Sequence, residues 1–245
     1  MDELETRLDA LVDRLDNATS FRATLQSLRS VYPFNRFEYA IAHLLAAQKL
    51  SLQEYLDLRA EYLARNQYLY VFEMSSPRGF GETWAQGYLM QFAPNLLRPN
   101  KSLDPNYDGE YDLFLAPTIR IEVKASRAVA AGRDGPLYIK ALSSDSTTPF
   151  DMNLQQIKPA CCDVLVWVAV WRDVVRCWAL ASSEVEHSPY YSTGQHRGNV
   201  GEGQLHLTQD NIHVFDAYSV ELSAIEQAIR DAHVRGRRLK SAAPN

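Results

Sequence analysis

Tyr111-Asp-Leu-Phe-Leu-Ala-Pro-Thr-Ile-Arg-Ile-Glu-Val-Lys124 is the most informative stretch of this chain. Its pattern predicts two strands, Tyr111 to Leu115 and Ile119 to Ala125, joined by the loop Ala116-Pro-Thr118. A three-residue hairpin loop sets Leu115 opposite Ile119. Counting outward, Phe114 faces Arg120, Leu113 faces Ile121, and Asp112 faces Glu122. Directly opposed residues share a face, with Cβ atoms roughly 4.5–5.5 Å apart. Lys124 lies two positions beyond Glu122 and projects from that same face. The reverse face takes Leu113, Leu115, Ile119, Ile121 and Val123, an apolar set suited to a core. A slip of one residue would invert every one of these side chains.

Two opposed carboxylates repel each other and destabilise a plain hairpin. A divalent cation converts that repulsion into a binding site. Magnesium prefers oxygen ligands and typically takes one or two carboxylates together with phosphate oxygens. A lysine beside such an ion favours hydroxide over water and stabilises charge developing on phosphorus. Glu-x-Lys is common on structural strands. The opposed aspartate, the apolar back face and a second strand pair downstream set this copy apart.

At these residues the chain resembles the PD-(D/E)XK nuclease superfamily. That pattern is an aspartate followed about ten residues later by Glu-x-Lys. Here it is Asp112, nine intervening residues, then Glu122-Val-Lys124. The similarity spans roughly residues 82–180, and by size and surrounding elements it looks most like a type II restriction endonuclease. One departure is Tyr111 where the family often has proline. The resemblance implies a restriction-endonuclease-like α/β fold, a central mixed sheet flanked by helices. It also implies a magnesium-dependent endonuclease that cuts double-stranded DNA and works as a homodimer. Asp112 and Glu122 would bind Mg2+, and Lys124 would complete the catalytic set. Many members carry an acid on the preceding helix, a place held here by Glu82. Some place a polar residue on a following helix, which points to Gln155 or Gln156 as a DNA contact. A repair or junction nuclease of the same fold, and a noncatalytic binding protein, are the competing expectations.

Outward from the hairpin, the first 70 or so residues read as helix and form an N-terminal lobe, residues 1–74, ahead of a core at 75–245. Leu4, Leu8, Leu11 and Leu15 recur at helical spacing. A second helix is expected from Phe21 to Val31, interrupted by Pro33. Ser51-Leu-Gln-Glu54 is a capping box. These leucine stripes are candidates for a subunit contact. Glu82 to Phe92 reads as a helix and Asn153 to Lys158 as a short one. Val164 to Trp171 and Val174 to Leu180 form a second strand pair, and Leu222 to Val234 a closing helix with a basic tail.

Composition bounds the function. With 46% hydrophobic and 22% charged residues the chain is globular. Its longest apolar run, Val164 to Trp171, is far short of the roughly 20 residues of a membrane span. The acidic start lacks the order of a signal peptide, so a cytoplasmic location is expected. Cys161, Cys162 and Cys177 lack zinc-site spacing and suit a reducing compartment. A net charge of −5 argues against a nonspecific nucleic-acid coat, but allows an enzyme that meets DNA through one groove.

The polar stretch from His187 to His206 is expected to be an ordered loop. Its histidines have no tight metal spacing. Gln195, Arg197 and Asn199 alternate within it, and such side chains make bidentate contacts with guanine or adenine, so this is the expected DNA-reading loop. Arg127, Arg133, Lys140 and Lys158 follow the motif and are candidates for phosphate contacts, Arg127 foremost.

Overall fold

The computed structural model describes residues 3–27, 33–76, 79–194 and 201–242. Among these, helices α1 (Glu3–Val12), α2 (Ala18–Ser27), α3 (Pro33–Ala46) and α4 (Leu52–Arg65) form the N-terminal lobe. Leu4, Val12, Phe37, Ile41, Leu44, Leu58 and Tyr62 share one buried cluster. The capping box opens α4: Glu54 N–H donates to Ser51 Oγ at 3.2 Å, and Ser51 N–H donates to the Glu54 carboxylate at 2.8 Å. The expected helix to Val31 is described as far as Ser27, its remainder lies outside the described residues, and Pro33 begins α3. At a first helical position its missing N–H costs nothing. A 3-10 helix, Leu69–Glu73, sends Val71 and Phe72 into the core of the following sheet.

Beyond the lobe, a π-helical stretch (Gly79–Ala85) leads into α5 (Gln86–Phe92). The strands follow as β1 (Leu96–Leu97), β2 (Leu113–Leu115), β3 (Ile119–Arg127), β4 (Asp151–Ile157), β5 (Val164–Val170), β6 (Val175–Ala181), β7 (Tyr191–Thr193), β8 (Gly203–Thr208) and β9 (Ser219–Val220). Helix α6 (Leu137–Lys140) precedes β4, α7 (Ser182–Glu186) follows β6, and α8 (Ile225–Ala242) closes the chain. A six-stranded sheet has the order β1-β2-β3-β5-β6-β9, with β3 and β5 parallel and the other neighbours antiparallel. The fold is therefore α/β, a mixed sheet with flanking helices behind a helical lobe.

Strand β5, Val-Leu-Val-Trp-Val-Ala-Val, is buried along its whole length, as a parallel strand covered on both faces must be. Leu113, Ile121, Val123, Val164 and Val166 pack on one side with Leu89 of α5 and Ile229 of α8. Leu165, Trp167 and Leu180 pack on the other side with Met152, Leu154, Ile157 and Leu205 of a second sheet, ordered β4-β8-β7.

That second sheet corrects two expectations. Asn153 to Lys158 is no helix: it lies in and just past β4, so Gln155 sits on a strand. The inward residues Met152 and Leu154 alternate with period two. A bulge then sets Gln155 and Gln156 against Gln204 alone, so that Ile157 also turns inward. Gln156 carries φ of 57° at this bulge, and both glutamines are exposed. Part of the expected 187–206 loop is also strand, β7 and the start of β8, because Leu205 and Leu207 belong to the second sheet's core.

Ile121 is fully buried where β2, β3 and β5 meet, its Cα paired with those of Leu113 and Val164. Ile121→Ala should lower the unfolding free energy by about 2–5 kcal/mol, read from urea denaturation. A loss under about 1 kcal/mol would show that the sheet does not close on this residue.

Candidate active site

The hairpin register is the one counted from the sequence: Leu115 with Ile119, Phe114 with Arg120, Leu113 with Ile121. Strand β2 ends there, and Asp112 lies just outside it. Its N–H donates to the Ile121 carbonyl at 2.9 Å, and its Oδ2 accepts the Val123 N–H at 2.8 Å. The carboxylate thus takes the ladder donor that β2 no longer reaches. Behind it, the Tyr111 hydroxyl donates to Asp104 Oδ2 at 2.8 Å and ties the preceding loop to the hairpin.

On β3, Glu122 and Lys124 share a face, and Lys124 Nζ lies 2.6 Å from Glu122 Oε1. Glu122 is only 8% exposed. Its Cα partner on β5 is Leu165, which packs under Ile157 and Leu205 of the second sheet. Burial pushes the Glu122 carboxyl up to about 7, against the pull of Lys124 and with a further push from Asp112. The two carboxylates therefore feel each other, although the paired register ends at Leu113 with Ile121 and does not itself set Asp112 opposite Glu122.

A second charged group adjoins the first. Lys158 Nζ lies 2.5 Å from Glu110 Oε2 and 3.6 Å from Glu202 Oε1, and its charge acts to lower the Glu122 pKa. Glu202 is itself buried. Sequence pattern marked Lys158 only as a basic residue after the motif. Glu110 and Glu202 carried no signal beyond, for Glu110, standing two places before Asp112.

The other predicted residues scatter. Arg127 is turned inward: its Nη1 donates to the Val71 carbonyl at 3.1 Å and the Met74 carbonyl at 2.7 Å, and its guanidinium lies 4.3 Å from the centroid of Phe80. It clamps the Leu69–Glu73 segment to β3 instead of facing a phosphate, and burial lowers its pKa. Glu82 falls inside the π-helical stretch rather than at a helix start, and its side chain lies outside the described residues. Gln155 is exposed on the β4 bulge. Gln195, Arg197 and Asn199 lie outside the described residues. Cys162 and Cys177 are buried, and burial pushes both thiols up to about 12.

Among the described residues no three His, Cys, Asp or Glu side chains converge as a metal cluster. An ion here would rest on Asp112, Glu122 and main-chain oxygen. A strand residue turns its N–H and C=O to the same edge, so the Val123 carbonyl faces the edge on which Asp112 takes its N–H. Two carboxylates and a carbonyl are hard oxygen donors of the kind magnesium selects. The raised Glu122 pKa marks a place where more positive charge would be stabilising. No family model and no curated protein matches the chain.

Because the folded pKa of Glu122 lies above its ordinary value, the folded protein without metal holds the extra proton. Its stability contribution is complete below about pH 4.5 and is lost as pH rises through about 7. Glu122→Gln, a mimic of the protonated form, should therefore be more stable than the parent at pH 8, by roughly 1–3 kcal/mol. The gap should close toward pH 4.5 in urea unfolding series in EDTA. A gap that is constant with pH would contradict the burial argument.

Proposed function

We propose that the chain is a magnesium-dependent endonuclease of the PD-(D/E)XK type. It hydrolyses phosphodiester bonds of double-stranded DNA, most like a type II restriction enzyme. The observation that carries this reading is the Asp112 carboxylate held on the Val123 N–H beside the buried Glu122–Lys124 pair. The sheet edge accounts for an acceptor at Asp112, but it calls for no second carboxylate and lysine beside it at reduced exposure.

Magnesium bound here supplies Lewis acidity toward phosphate oxygens. Asp112 and Glu122 would hold that ion, the first oriented by the Val123 N–H and the second fixed by burial. Lys124 keeps a positive charge beside the attacking water and stabilises the negative charge that builds on phosphorus. Lys158, pinned between Glu110 and Glu202, adds a second fixed cation near Glu122. The segment carrying Gln195, Arg197 and Asn199 joins β7 to β8, and β8 in turn pairs with β4. The amide and guanidinium groups of those three residues are of the kind that read base edges.

Cutting both strands of a palindromic site calls for a two-fold pair of such centres. The outer face of α4 supports a homodimer through the lobe. Leu52, Leu56 and Leu63 are exposed there while Leu58 and Tyr62 are buried.

Incubated with a long mixed-sequence duplex, the protein should cut only when a divalent metal is present. Asp112→Ala, Glu122→Ala and Lys124→Ala should each lower the rate by about 100-fold or more with the fold intact by circular dichroism. Calcium should support DNA binding better than cleavage. Full activity in a folded Lys124→Ala protein, or metal-independent cutting, would refute the assignment.

A further inference from the structure

At the opposite end of the sheet from the carboxylates lies a polar cavity of about 660 Å³. It sits past the carboxyl ends of the parallel strands β3 and β5, where ligands of open α/β sheets characteristically bind. The core contributes Arg133, Arg172 and the hydroxyls of Ser143, Ser146, Thr147 and Thr148, and the N-terminal lobe contributes Arg36 of α3. Its walls are built rather than incidental. The Arg172 N–H donates to the Leu142 carbonyl at 3.0 Å, and Leu142 N–H donates to the Ala128 carbonyl at 2.9 Å. Ser144 is anchored to Asp173 through its N–H at 2.8 Å and its Oγ at 2.6 Å.

The charges in this cavity are not balanced. Glu5 and Asp145 also line it, so three arginines face two carboxylates, and Asp145 lies 3.3 Å from Arg65 outside the lining, a residue that also pairs with Glu61. Among the described residues Arg36 and Arg133 have no ion-pair partner, and both are exposed. Guanidiniums converging on one partly enclosed space repel each other, and an anion between them reverses the sign of that interaction. Arginine matches phosphate through paired N–H groups, and serine and threonine hydroxyls satisfy the remaining oxygens. The volume lies within the roughly 300–1,000 Å³ of small-ligand sites, large enough for a mononucleotide.

We propose that this cavity is a phosphate-binding site, bridged by Arg36 from the lobe and Arg133 from the core. Its ligand is a phosphate group of a mononucleotide-sized molecule or of a nucleic-acid backbone. The assignment does not depend on the nuclease reading. Phosphate seated here ties the lobe to the core.

The test is isothermal titration calorimetry of the full chain in EDTA, which removes any metal-bridged binding at Asp112 and Glu122. The ligands are inorganic phosphate, 5′-dAMP, deoxyadenosine and a short duplex without terminal phosphates. Binding of dAMP and phosphate but not of deoxyadenosine, weakened about tenfold or more in both Arg36→Gln and Arg133→Gln, supports a free phosphate ligand. Binding of the duplex with the same dependence on both arginines supports the backbone as the source. Equal affinities in the parent and both variants, or no binding by any ligand up to about 10 mM, overturns the proposal. The thermal midpoint in phosphate-free buffer supplies an independent readout. Removing one of several like charges should leave it unchanged or raise it. A lowered midpoint in either variant would show the guanidinium to be a structural tie and would also overturn the proposal.

Discussion

Where β2 stops, the edge of β3 is left with the Val123 N–H facing no strand, and Asp112 Oδ2 takes it at 2.8 Å. A main-chain donor at a sheet edge needs a partner, and leaving one unmade is costly when the site is partly buried. Asp112 meets that need with a side chain in place of the next ladder carbonyl. This brings its charge next to Glu122, on the strand β3 already uses for its core. The hydrogen bond therefore serves the sheet and orients the acid in the same act. Removing the carboxylate would expose a backbone donor as well as delete a charge.

The electrostatics of Glu122 depend in turn on the second sheet. Ile157 and Leu205 cover Leu165, the β5 neighbour of Glu122, so the carboxylate is shut off from water on that side. Burial raises its pKa more strongly than Lys124 at 2.6 Å lowers it. An acid held near neutrality by two opposed effects responds sharply to one more positive charge. The Gln155–Gln156 bulge contributes indirectly. In a regular strand of the same residues, with no bulge to absorb the odd one, Ile157 would point outward and the cover over Leu165 would open.

The legible parts of the sequence were those whose partners are close in the chain or whose pattern is enforced on two faces. The hairpin register followed from a three-residue loop and from alternation that would fail on both faces if slipped. Strands β5 and β6 were visible as apolar runs, and α4 from its capping box. What escaped was long-range. Arg127 has ordinary flanks on β3, and only folding brings the carbonyls of Val71 and Met74 to it. Glu110, Lys158 and Glu202 come from three separate segments, with no local spacing to announce them. The β4 segment failed differently: its two adjacent glutamines break the period of two at the bulge and leave a short polar run with good helix propensity.

A net charge of −5 is compatible with two sites of opposite character because they are separated along the strands. Glu122 pairs with Leu165 near the start of β5, whereas Arg172 lies just past its end. Seven residues at about 3.3 Å each put these ends roughly 23 Å apart. Through solvent, charges at that distance are screened by nearly three Debye lengths of about 8 Å at physiological salt. Each end of the sheet therefore responds to its own neighbours: carboxylates and lysines at one, arginines and hydroxyls at the other. Much of the chain's acidity is spent in local pairs such as Asp9 and Asp13 with Arg22, or Glu61 with Arg7, which leave little field beyond the lobe surface. What an anionic ligand meets is the unpaired remainder at a given cavity, so net charge bounds the class of partner only weakly.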